Sequence, residues 1–238
     1  MTQDAEVTMT PPRYQHYDLL PGGAMHIHKT ASGRDGRLLY MLDQHFSMEC
    51  QNGTVLDLGC CYGMFAFHMW GNDCLASRNL VTGIDRDQDC IDWCKDAARQ
   101  VGLPEDNPRF ICANVWDRTL NEVFDVVLAF ALIHHPWREL AGRDLRDDAM
   151  RNEALDEVMH MLASYVKPGG KLLIEWVADL NKCESTAHLH GTDHGVRLGD
   201  IRELVPIARD LFDGMEILGI TKNVGEAFRF LVLLSGRT

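Results

Sequence analysis

The sequence predicts an α/β domain: a mostly parallel sheet of seven strands with helices on both faces, ending in an antiparallel C-terminal hairpin. Three observations predict it. From Thr54 onward, short apolar runs alternate with helix-length amphipathic segments, an order that favours right-handed crossovers and parallel pairing. The first run, Val55-Leu56-Asp57-Leu58, stops at Gly59-Cys60-Cys61-Tyr62-Gly63, so a buried strand gives way to a tight turn and a helix starts at once. The last two runs, Met215 to Thr221 and Phe228 to Leu234, are separated by a short polar loop, which permits a hairpin and not a helical crossover.

Taken in order, residues 1 to 12 are polar and end in Pro11-Pro12, which predicts a loose tail. Tyr14 to Thr30 is mixed, with a turn at Pro21-Gly22-Gly23. Arg37 to Met48 has the apolar spacing of an amphipathic helix. Residues 1–50 are therefore read as a tail and helical arm, and 51–238 as the main domain. Strand Thr54 to Leu58 and helix Met64 to Trp70 open that domain. Leu80 to Asp85 is the second strand, and Asp89 to Val101 a helix closed by Gly102 and Pro104. Arg109 to Asn114 and Phe124 to Phe130 are the third and fourth strands. A long helix over Asp147 to Val166 precedes a turn, Lys167-Pro168-Gly169-Gly170, and a fifth strand, Lys171 to Val177. His188 to Asp210 reads as a loop plus a short helix before the terminal hairpin.

Composition narrows the function classes. With 46% hydrophobic residues in 238, the chain can bury a sizeable core, yet no apolar run approaches the roughly 20 residues that span a bilayer. The first residues lack the basic and apolar regions of a signal peptide, so a cytoplasmic location is expected. A net charge of −12 without a long basic run argues against a large nucleic-acid interface, which depends on Lys and Arg at phosphates. The eight cysteines form no C-x-x-C pair and are read as small buried thiols; Cys90 and Cys94, four apart on one helix, point to packing.

A glycine-rich turn alone is shared by many nucleotide sites, and its surroundings say more. Asp85 ends the next strand at the spacing where an acid accepts hydrogen bonds from ribose hydroxyls. Asn114 ends the third strand, where a short amide meets an adenine amine. Asp125 precedes the fourth strand, which runs out into His134-His135.

On these residues the chain resembles the class I methyltransferases that use S-adenosylmethionine, with a Rossmann-like fold. The carriers are Asp57-Leu58-Gly59-Cys60-Cys61-Tyr62-Gly63, Gly83-Ile84-Asp85, Asn114, Phe124-Asp125-Val126-Val127 and Lys167-Pro168-Gly169-Gly170-Lys171, and the likeness spans about 55 to 238. Cys61 stands where the family pattern has its middle glycine. Tyr14-Gln15, Arg37, Leu58-Gly59-Cys60 and Leu132-Ile133-His134-His135 are similar to the methyltransferase domain of O-antigen chain-terminating enzymes and, in the early strands, to tRNA wobble-uridine carboxymethyltransferases. His134-His135 also falls where ubiquinone-pathway O-methyltransferases have Glu-His.

The resemblance implies roles. Gly59, Cys61 and Gly63 admit the methionine part of S-adenosylmethionine, and Asp57 orients its amino group; the alternative is a plain turn with Asp57 capping a helix. Asp85 accepts from the ribose and Asn114 lies near adenine, with Arg86, Val115 and Phe130 as further cofactor-binding candidates; the alternatives are a surface acid and a turn-forming Asn. Tyr14, Gln15, Arg34 and Arg37 form a lid over the cofactor, with an arginine on its carboxylate, or else a solvated helix start. His134 or His135 removes a proton from a hydroxyl acceptor, or the pair fixes the loop before Pro136-Trp137. His188, His190, Asp193 and His194 match no zinc spacing, and their loop is read as facing the acceptor, with no metal expected. The reaction expected is methyl transfer to a small molecule or sugar, at oxygen. A tRNA-modifying transferase and a non-catalytic S-adenosylmethionine-binding regulator stay open, as does the oligomeric state.

Overall fold

A computed structural model describes residues 7–13, 15–28, 33–46, 53–71, 79–117, 120–130, 132–133, 148–179, 201–224 and 227–238. Seven strands form a sheet in the order β5-β4-β3-β6-β7-β9-β8, and a separate two-stranded sheet, β1-β2, lies near the N-terminus. The strands are β1 Tyr17–Leu19, β2 Met25–Ile27, β3 Thr54–Leu58, β4 Leu80–Asp85, β5 Arg109–Cys112, β6 Phe124–Ala129, β7 Val166–Asp179, β8 Phe212–Val224 and β9 Ala227–Arg237. The helices are α1 Gly33–Phe46, α2 Met64–Gly71, α3 Gln88–Gln100, α4 Asp148–Ser164 and α5 Ile201–Leu211. The expected mostly parallel sheet with a terminal antiparallel hairpin is the one found. The chain forms two compact units, Met1–Asn121 and Glu122–Thr238.

In the first unit, β1 and β2 pair antiparallel around a 3-10 turn at Pro21–Gly23. Met9 exchanges two backbone hydrogen bonds with Leu19, of 2.9 and 2.8 Å, and Pro11 is buried. The expected loose tail through residue 12 is thereby corrected: the stretch around Met9 is held as a third extended segment beside the hairpin. The reason is alternation, since Tyr17 and Leu19 are fully buried while Asp18 points outward. Helix α1 starts at Gly33, ahead of the expected Arg37, and buries Leu38, Leu39 and Leu42.

β3, β4 and β5 pair in parallel, with Asp57 opposite Gly83 and Asp85 opposite Cys112. β3 and β4 are buried along most of their length, which explains their apolar runs, while the edge strand β5 buries only Phe110. Helix α2 is apolar nearly all round, burying Met64, Phe65, Ala66, Phe67, Met69 and Trp70. Helix α3 is amphipathic and buries Cys90, Ile91, Cys94, Ala97 and Ala98. Asp87 caps its start by accepting from the Asp89 N–H at 3.0 Å. Its end closes as a Schellman motif, with Leu103 N–H donating to Ala98 O and Gly102 N–H to Arg99 O.

In the second unit β6 and β7 are parallel, whereas β9 pairs antiparallel with both β7 and β8. Lys167–Gly170 does not separate a helix from a strand, as the Pro-Gly-Gly run implies. It lies inside β7: Val166 faces Phe124 and Lys171 faces Val126, so three extra residues loop out while pairing resumes beyond them. Trp176 is fully buried in mid-strand opposite Phe230, because β7 runs on to Asp179. That places it in the core.

Candidate cofactor-binding site

The site is built at the carboxyl ends of β3, β4 and β5. Gly59 and Cys60 both donate their backbone N–H to Ile84 O, at 2.8 and 2.9 Å, tying the turn after β3 to the end of β4. The next amide, Cys61 N–H, donates to Asp85 Oδ2 at 2.8 Å, and Asp87 N–H donates to Asp85 Oδ1 at 2.9 Å. Gly59, Cys61 and Gly63 all have positive φ, +70°, +51° and +78°. Cys61 thus takes the left-handed conformation that glycine would adopt freely. A Cβ at Gly63 would lie 2.9 Å from Phe67 and 3.1 Å from Cys94 Sγ and Phe110, so the backbone here leaves no room for a side chain.

Asp57 is almost fully buried at the end of β3. Its Oδ2 accepts from the Ala66 N–H at 3.1 Å, which caps α2. Burial, with the Asp85 charge adding to it, pushes its carboxyl up to about 7, against the pull of that amide. The capping role weighed for Asp57 is therefore present, and it leaves the second carboxylate oxygen for other contacts.

Asn114 follows β5. Its Oδ1 accepts from Trp116 N–H at 3.2 Å, and Asp117 N–H donates to its carbonyl at 3.1 Å. The side chain thus makes the Asx turn weighed for it. Its oxygen accepts this one amide and keeps a second lone pair, and its NH₂ group adds two donors. Val115 is buried in the 3-10 turn Val115–Asp117. Arg86 is exposed beside Asp85. In the second unit Phe130 is buried just past β6.

The N-terminal segment reaches this turn through several contacts. Gln15 Nε2 donates to Cys60 O at 3.3 Å, and its Oε1 accepts from Met64 N–H, the first amide of α2, at 3.1 Å. Tyr17 OH donates to Tyr62 O. Arg13 Nε donates to Tyr62 OH at 3.1 Å, and its Nη2 lies 3.6 Å from Asp87 Oδ2. Tyr62 and Tyr17 both set their rings edge-on to Trp93, with centroids 5.5 and 6.2 Å away. The structure brings Gln15, one of the residues expected at the site, against the turn. Arg13 and Tyr17 reach the same turn but were not singled out from the sequence, because no local pattern announces them. Arg37 is exposed on α1, and Arg34 lies in the first turn of that helix. Tyr14, His134, His135 and the loop carrying His188, His190, Asp193 and His194 lie outside the described residues.

Thiols surround the turn. Cys61 Sγ is 3.8 Å from Cys90 Sγ, and Cys94 S–H donates to Cys61 O at 3.5 Å. Burial pushes the Cys90 thiol up to about 11 and the Cys61 thiol higher still. Both stay protonated near neutrality, so they act as packing groups and not as nucleophiles.

A nucleoside-bearing cation fits this set of groups. The Asp85 carboxylate accepts one N–H per oxygen and keeps lone pairs for ribose hydroxyls. Asp57 is a carboxyl that ionises readily once an ammonium stands beside it. Trp116 Nε1, just beyond Asn114, is buried without a hydrogen-bond acceptor. A groove of about 620 Å³ in the second unit, between α5 and β8 and lined by Arg209, Phe212 and Asp213 among others, includes none of the expected site residues.

Known proteins share this fold. A family model described as a methyltransferase domain matches residues 50–213, more than half of the chain. The chain is similar to Sphingolipid C9-methyltransferase 1 of Gibberella zeae, 26% identical over 111 residues; the match covers 43% of this chain and spans only 20% of that protein's length. Among solved structures it is similar to the PH0226 protein of Pyrococcus horikoshii OT3, with a TM-score of 0.56 and 20% identity over 86% of this chain and 90% of that one. It is also similar to magnesium protoporphyrin IX methyltransferase of Synechocystis PCC 6803, with a TM-score of 0.52 and 17% identity over 85% and 77% of the two chains. At such identities these structures speak for the fold. With the fold, the turn after β3 and the family match in agreement, the chain belongs to the methyltransferase-domain family.

Proposed function

We propose that the chain methylates a small-molecule or sugar acceptor at a hydroxyl oxygen, with S-adenosylmethionine held on the β3–β5 ends. The observation that carries the cofactor placement is Asp85, which locks the Cys61 turn by one oxygen and the start of α3 by the other. S-adenosylmethionine supplies a methyl group on a sulfonium, already activated for in-line displacement. Positioning then supplies much of the rate. Asp85 accepts from the ribose hydroxyls, and Asp57 receives the amino group. Gln15, Tyr17 and Arg13 hold the turn, while Tyr14, Arg34 and Arg37 belong to the arm over the cofactor. His134 or His135, following β6, takes the acceptor's proton. The net charge of −12 favours a small acceptor over a nucleic-acid backbone; the curated relative's name states a sphingolipid acceptor and the position C9, so the atom methylated is what the test must decide.

The test is transfer of isotope-labelled methyl from S-adenosylmethionine into a panel of hydroxylated small molecules and sugars, with mass spectrometry locating the methyl. Labelled ether products that vanish in the His134→Ala, His135→Ala double variant support the reading. Methylation at carbon or nitrogen, or full activity in the double variant, sinks the oxygen assignment. Calorimetry separates the donor half: Asp85→Ala is expected to weaken S-adenosylmethionine about 10- to 100-fold, the worth of hydrogen bonds to a charged group. Unchanged affinity would remove the ribose assignment.

A further inference from the structure

The outward face of the β1–β2 hairpin carries a second, separate group of donors. Asp18 on β1 stands directly opposite His26 on β2, and His28 follows two residues later, so both imidazoles leave the hairpin on the same face as the carboxylate. Asp18 Oδ2 lies 2.9 Å from His28 Nε2 and 3.5 Å from His26 Nδ1. The three ligand atoms all fall within 4.8 Å of one another. The rings are 6.0 Å apart and inclined by 56°, so they converge on the carboxylate without stacking. Thr10 Oγ1 donates to the other oxygen, Asp18 Oδ1, at 2.6 Å.

We propose that Asp18, His26 and His28 form a divalent transition-metal site of the zinc class on this hairpin. Ligand atoms around a tetrahedral zinc, with bonds near 2.0–2.1 Å, sit ~3.3 Å apart, and the separations of 2.9 and 3.5 Å from Asp18 bracket that value. Two imidazoles with one carboxylate suit zinc, cobalt or nickel, and not magnesium or calcium, which take oxygen ligands. Thr10 is the outer partner that fixes a ligating carboxylate. Water takes the fourth position of the tetrahedron.

The site has a structural consequence for the cofactor turn. The opposite face of the same hairpin buries Tyr17, whose hydroxyl donates to Tyr62 O. A metal bridging β1 to β2 clips together the hairpin that grips the turn, and stabilises the native state by mass action.

The experiment uses the whole chain, stripped with chelator and titrated with zinc chloride by calorimetry. A single zinc per chain at micromolar affinity or better is expected, with a raised Tm in excess zinc. His26→Gln and His28→Gln, at exposed and half-buried positions, are each expected to weaken binding at least tenfold and to abolish the Tm rise. X-ray absorption on zinc-loaded wild type tests the ligand set without substitution: two imidazoles and oxygen support the site, and a sulfur shell overturns it by placing the metal at the thiols. No binding up to millimolar zinc, or binding unchanged in both variants, also overturns it and leaves plain His–Asp ion pairs.

Discussion

Asp57 joins two demands at one residue. It caps α2 through Ala66 N–H while burial keeps its carboxyl up to about 7, well above an unfolded carboxyl's 3.8. The native state therefore holds a proton that the unfolded chain has released between about pH 4 and 7. Its stabilising contribution is complete below pH 4, declines as pH rises to about 7, and is level beyond. At about 1.4 kcal/mol per unit, the decline is on the order of 4 kcal/mol. Urea unfolding from pH 4 to 8 is expected to show it, and Asp57→Asn, which keeps a capping oxygen, to flatten it; parallel pH profiles in the two proteins would refute this. Binding follows the opposite slope. If Asp57 receives the cofactor's amino group, S-adenosylmethionine affinity climbs by roughly tenfold between pH 6 and 8, and calorimetry on Asp57→Asn loses the climb. Cys61 is the other exacting residue. At φ +51° a branched side chain is strained by about 1–3 kcal/mol, so Cys61→Val is expected to lower stability by that amount. Cys61→Gly trades strain against lost sulfur packing and stays within about 1 kcal/mol.

At the level of elements, the bulge inside β7 and the N-terminal hairpin differ most from what the sequence predicts. Gly170 sits where a Cβ would meet Lys167 O at 2.9 Å and Asp125 O at 3.0 Å, both rigid backbone atoms. Gly170→Ala is therefore expected to cost about 1–3 kcal/mol, read as a shifted urea midpoint with an unchanged slope. The core strands β3, β4 and β6 were legible because parallel strands buried on both faces must be apolar, and α2 because it is apolar nearly all round. The hairpin strands were not: three residues each, they carry no period a window can detect, and their hold on the core is long-range. Pro168-Gly169-Gly170 misled for a physical reason, since the same residues that make turns also make bulges. The site divides likewise. Asp57 and Asp85 were legible as acids ending apolar strands, whereas Arg13 and Tyr17 matter through contacts that only folding creates. Gln15→Ala removes both a donor to Cys60 O and an acceptor for α2's first amide. It is expected to weaken S-adenosylmethionine several-fold and to speed hydrogen exchange at Met64; unaltered exchange would show that the arm does not order the turn.

For the molecule as a whole, the sheet order leaves β5 at one edge and β8 at the other. β5 has four residues and β8 thirteen. A long open strand is a template on which other chains can add. β8 breaks its own regularity twice, with register shifts between Ile217 and Gly219 and between Ile220 and Lys222. Each shift inserts one residue that has no partner on β9, turning the outer row of amides and carbonyls out of line. A flat incoming strand would find matching groups over only a few residues at a time. The irregular pairing that makes the C-terminal hairpin look imperfect thus acts as a guard against fibrous self-association, at the one edge long enough to need it.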